Sequence, residues 1–189
     1  MANVDAPFGL RPLTNDADGG FSGKLRKVVA LSTYGTALYI GDPVLQTGTS
    51  QAGPDGQVVP VVQRAGTSGY VDGVIVGIEP ETDDSLVYRA ASTTRYMWIY
   101  DNPYGLFEIQ ADGSLAVTDI GNTADLIFTH AGSAVTNASG AELDTADIGT
   151  GAMLVIEGIK QDSRNDLTSA NPVAIVRINQ HQKRYTTGV

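Results

Sequence analysis

An all-β protein with antiparallel sheets is expected from the way the apolar residues are spaced and punctuated. Short runs rich in Val, Ile, Tyr and Thr recur along the chain, and 22 Gly and 8 Pro fall in clusters between them. Long Ala, Leu, Glu and Lys stretches of helical period do not occur, and no fixed-period repeat is visible. With 189 residues and 42% hydrophobic content, one substantial core is within reach. The expected architecture is an antiparallel β-sandwich or jelly roll, with a distorted β-barrel as the alternative and an extended N-terminal arm in front of it.

The arm is assigned to residues 1–23, and a single β domain to residues 24–189. Pro7 and Pro12 fix φ and bias their predecessors away from helix, and Gly19, Gly20 and Gly23 fall in the same stretch. Phe8, Leu10 and Leu13 are its main apolar anchors. A segment this long with no core of its own is either unstructured or pinned to something through those anchors.

Strands are expected at residues 24–31 and 37–45, with Asp42 and Pro43 marking an edge or a strand end. Residues 47–56 (TGTSQAGPDG) are almost pure turn chemistry and are expected as a surface loop before the run at 58–62. In YVDGVIVGIE, residues 70–79, Gly73 and Gly77 suggest a strand that bends, bulges or passes close to another backbone. Further β-rich runs lie at 86–90, 96–100 (YMWIY), 106–110, 126–129, 153–159 and 172–178. Residues 131–151 read as a long connection with one short helical turn around 141–146. The total is about nine to eleven strands, as in sandwiches and barrels.

Composition narrows the function. Twenty-one acidic against 12 basic residues leave a formal charge of −9, whose field repels phosphate backbones and anionic lipid, so neither nucleic acid nor membrane is expected as a partner. Two basic clusters stand out, Lys24, Arg26 and Lys27 early and Lys183 with Arg184 late, without the interleaved aromatics of a base-stacking platform. They are read as solvated or interface charge. The absence of Cys removes disulfides, thiolate chemistry and sulfur-based zinc sites. MANVDAPFGLRPL has no apolar leader core, and no run approaches the roughly 18 apolar residues of a membrane span, so action in the cytoplasm or on a particle is expected.

No catalytic, cofactor or metal site is expected. His130 and His181 are far apart and have no ligand partner at a recognisable spacing. The carboxylates of EPETDD, Glu79 to Asp84, sit among turn signals and read as solvated charge. NDADGG, with Asp16 and Asp18, falls short of a calcium loop, and no nucleophile elbow, phosphate loop or dinucleotide fingerprint occurs. Strand alternation puts Tyr96, Trp98 and Tyr100 on one face, near Tyr104. Such rings serve a core or a subunit interface, or alternatively a carbohydrate platform.

The motifs MANVDAPFGLRPL, IGDPV (residues 40–44), VDGVIVGIE (71–79), NPYGLFEIQ, DIGN and NPVAIVRINQHQ stand in this order along the chain. Taken together they resemble the small head proteins of tailed bacteriophages that decorate or cement the capsid. The resemblance spans nearly the whole chain. It implies a non-enzymatic virion protein, assembled in the host cytoplasm, which binds the outside of the shell as a homodimer or homotrimer and bridges neighbouring major capsid subunits. The arm, through Asn3, Phe8, Leu10 and Arg11, is then expected to contact the shell or an adjacent copy. The runner-up is a carbohydrate-binding or adhesin module on a virion surface, motivated by the aromatic strand.

Overall fold

A computed structural model describes residues 3–13 and 24–184. The protein is all-β with antiparallel sheets, and the only other regular elements among the described residues are two single 3₁₀ turns. The barrel alternative describes half of it. Strands β2 (Arg26–Ala30), β3 (Pro43–Ala52), β4 (Val58–Arg64), β5 (Gly73–Ile78) and β6 (Arg95–Tyr100) close in the order β2-β4-β3-β5-β6. All neighbours are antiparallel except β2 and β4, which meet in parallel at Val29 and Val61.

The second half is a five-stranded sheet in the order β1-β7-β12-β11-β8. It comprises β1 (Arg11–Pro12), β7 (Leu106–Gln110), β12 (Val173–Ile178), β11 (Leu154–Ile159) and β8 (Thr123–Ala124). A small ribbon of β9 (Leu126–Ile127) and β10 (Glu142–Leu143) flanks it.

Alternation along the strands builds two cores. Val28, Ala30, Val44, Val62, Ile75, Met97 and Ile99, drawn from all five barrel strands, form one cluster with Leu38. Residues one step out of phase, Val74 and Tyr100, join Phe107, Ile109, Ile156 and Val176 of the second sheet in a larger cluster. The Tyr100 and Phe107 rings lie 5.7 Å apart and tilted, a contact that joins the two halves.

Some expectations are corrected by long-range pairing. Residues 47–52, expected as a loop, continue β3, because Ser50, Gln51 and Ala52 pair with Pro60, Val59 and Val58 past an irregularity after Gln46. This hairpin projects into solvent, so its polar composition is that of a strand with no core face. The run at 37–45 is interrupted at Gly41, whose φ of +92° turns the chain, and 86–90 makes only the bridge between Arg89 and Leu38. In place of a helical turn at 141–146 the chain supplies β10.

The arm is corrected as well. In residues 3–13, Leu10 is 1% exposed and lies in the larger core, and Arg11 and Pro12 pair with Glu108 and Phe107. Pro12 suits this position because an edge strand tolerates a missing N–H. Residues 10–12 of the segment thus pack and pair against the second sheet. The remainder of the proposed arm, 14–23, falls outside the described residues.

Candidate functional site

Strand β6 carries its aromatics on the barrel's outer wall, as its alternation requires. Tyr100, at one end, is covered by the second sheet and 2% exposed, whereas Trp98 remains 37% exposed. Lys27 stands opposite Trp98 in the β2–β6 ladder. Its ammonium lies 5.0 Å from the Tyr96 ring centre, 6.0 Å from that of Trp98 and 2.9 Å from Glu79 Oε2. The bond to Glu79 raises the Lys27 pKa above its ordinary value, with Asp55 on the β3–β4 hairpin adding to it.

These residues border a groove of about 800 Å³ lined by Lys24, Leu25, Arg26, Lys27, Val58, Trp98, Asp101, Pro103 and Lys183, among others. Val58 is 70% exposed beside it, and Tyr104, next to Pro103, is 66% exposed with the Arg184 guanidinium 5.6 Å from its ring. The two basic clusters of the sequence thus meet at one place, four bases against the single acid Asp101 among the lining residues. Arg26 and Lys183 both pair with Asp101, and Arg26 also with Asp72, which fixes the groove's floor.

The candidate contacts of the N-terminal segment are distributed differently. Asn3 is tied to the loop that follows β11: its amide donates to the Asp166 and Ala170 carbonyls at 2.7 and 2.9 Å, and its Oδ1 accepts from the Asp166 N–H. Leu10 is a core residue of its own chain and is unavailable to a neighbour. Phe8 is half-buried beneath the Arg11 guanidinium, 4.3 Å away, and both line a cleft of about 440 Å³ shared with residues 136–138. Arg11 alone of the four is well exposed.

No family model, curated protein or solved structure matches this chain.

The fold also assembles what local spacing did not reveal. Asp5, His130 and Glu142 converge: Glu142 Oε2, on a side chain 1% exposed, lies 2.8 Å from His130 Nδ1, and Asp5 Oδ2 lies 3.5 Å from His130 Nε2. Hydrogen bonding to Glu142 raises the His130 pKa above its ordinary value. No sequence signal pointed here, since Asp5 arrives from the far end of the chain.

Two other buried titratable groups have opposite effects on stability. Burial pushes the Asp42 carboxyl up to about 6, although Ser139 Oγ and the Tyr39 N–H donate to it at 2.6 and 2.7 Å. Burial holds the His181 imidazole down to about 4, and its Nδ1 accepts the Lys183 N–H at 3.1 Å. Between about pH 4 and 6 the unfolded chain loses a proton from Asp42 that the native state keeps, so this group's contribution falls as pH rises. Up to about pH 6.5 the unfolded chain holds a proton on His181 that the native state lacks, so that contribution rises with pH. Asp42→Asn removes only the first. Its stability relative to wild type is expected to improve by about 2 kcal/mol between pH 4 and 7, measured by denaturant midpoints; a pH-independent difference would contradict the assignment.

Proposed function

We propose that this chain is a structural virion protein that decorates and cements a tailed-phage capsid, docking on the shell's outer surface and bridging neighbouring major capsid subunits. The ordered series of motifs from MANVDAPFGLRPL to NPVAIVRINQHQ carries this reading. The groove around Trp98 supports it by offering a contact face. There, exposed apolar surface on Trp98 and Val58 is bordered by Lys24, Lys27 and Lys183, in a chain whose net charge is −9. Such a face suits an extended acidic segment of the shell with an apolar anchor: the anchor covers Trp98, and the bases orient the approach. Many copies, each with a modest interface as homodimers or homotrimers, stabilise the assembled lattice by linkage without any chemistry.

The groove is tested by replacing Val58 and Trp98 together with Ser. Val58 is 70% exposed and Trp98 37%, so the variant is expected to fold with a modest fall in thermal midpoint while affinity for shells falls at least tenfold, as expected of an anchoring aromatic. Unchanged affinity in a folded double variant would remove the groove from the contact. The exposure of Trp98 also favours a second reading, a carbohydrate-binding module in which Trp98 and Tyr96 stack on sugar rings beside Lys27. Glycan-array binding lost in Trp98→Ala would support that reading, and no binding to any glycan would end it.

A further inference from the structure

We propose that His130 Nε2 and the Asp5 carboxylate bind a divalent transition-metal ion, with buried Glu142 holding the imidazole in the ligating orientation. Glu142 Oε2 accepts from Thr129 Oγ1 at 2.8 Å and stands 2.8 Å from His130 Nδ1. A carboxylate only accepts, so Nδ1 carries the hydrogen and Nε2 is left with the lone pair that a metal needs. A buried carboxylate on the far nitrogen of a ligating histidine is the arrangement that fixes tautomer and ring angle in metal sites.

Across the ring, Nε2 faces Asp5 Oδ2 at 3.5 Å. That is long for an N–H···O bond, whose usual length is about 2.9 Å. It matches the separation of about 3.4 Å between two ligands of a tetrahedral ion with bonds near 2.0–2.1 Å.

Asp5 is held from both sides. Its neighbour Ala6 donates its N–H to Gln110 Oε1 at 3.0 Å, and Gln110 Nε2 donates to the Val4 carbonyl at 2.9 Å. Gln110 itself is 4% exposed and belongs to β7, so the carboxylate is positioned by the second sheet. On the other side, pairing of Glu142 with Ile127 in the β9–β10 ribbon places the buried carboxylate beneath Thr129 and His130. Both ligands are about half exposed, which leaves water to complete the coordination sphere. One imidazole with one carboxylate selects Zn²⁺, Ni²⁺ or Cu²⁺ over Ca²⁺ and Mg²⁺. A bound ion would clip the N-terminal segment to the ribbon, and this holds whether or not the chain decorates a shell.

The test is calorimetric titration of Zn²⁺ into the full chain, with thermal midpoints recorded with and without the ion. The chain has two histidines and no Cys, and His181 is fully buried, so binding by imidazole reports on His130. One ion per chain is expected, with a raised midpoint. Affinity should fall at least tenfold in His130→Gln and in Asp5→Asn, and about tenfold or more in Glu142→Gln. Asp5 is exposed, so Asp5→Asn reports on binding without a folding defect. Absence of Zn²⁺ binding below about 1 mM, or retention of wild-type affinity in Asp5→Asn, would overturn the site.

Discussion

Replacing Arg89 with Leu is expected to lower stability by about 4 kcal/mol, a fall in melting temperature of roughly 10 °C for a chain this size. Arg89 is fully buried, and among the described residues the titratable group that acts on it is Tyr34 and not a carboxylate. Its guanidinium instead donates to four backbone carbonyls. Nε reaches Thr93 at 2.8 Å, Nη2 reaches Leu31 and Tyr34 at 2.7 Å each, and Nη1 reaches Thr36. Burial lowers its pKa from the ordinary value, yet arginine stays charged, and the fork of donors organises the turns 31–36 and 90–94 at one end of the barrel.

Leucine fills part of the volume and leaves all four carbonyls without that donor. Lysine keeps the charge but reaches fewer acceptors, so Arg89→Lys is expected between wild type and Arg89→Leu. A Leu variant melting within about 2 °C of wild type would show that these turns hold themselves.

Gly9→Ala is expected to cost about 3–4 kcal/mol and to release the N-terminal segment from the domain. Gly9 has φ of +71° and crosses Gly41, at φ of +92°, where the Leu10 N–H donates to the Gly41 carbonyl at 2.9 Å. A Cβ on residue 9 would press into that carbonyl oxygen and lie 2.6 Å from Ser139 Cβ. Backbone at both places must shift, and the conformation itself is strained for any residue with a side chain. Because Leu10 sits one residue on in the core, the displacement opens apolar packing as well. Amide exchange at Leu10 and Leu13 should accelerate together with a loss in melting temperature. Protection unchanged from wild type would mean that the crossing yields without cost.

Where a strand buries one face, its alternation was legible: 24–31, 96–100, 106–110, 153–159 and 172–178 all correspond to observed strands. Residues 47–52 were not, because a hairpin pairing in solvent needs no apolar face. Leu10 reads locally as an anchor for the shell or an adjacent copy, yet it packs in its own core, since nothing local says that Gly9 lets the chain cross Gly41. The basic clusters were visible as clusters. Their meeting at one groove depends on the C-terminal segment returning to the barrel, where His181 bridges Val71. His130 lacked a ligand at helical or hairpin spacing, and its partners come from β10 and from the N-terminal segment.

Co-sedimentation of the purified protein with undecorated phage shells, compared with unassembled major capsid subunits, tests the decoration role most directly. Saturable binding to shells and none to subunits is the result that the proposed role predicts, because a bridging protein would bind where adjacent subunits of the lattice meet. No binding to shells at concentrations that saturate other multivalent decorations would contradict it.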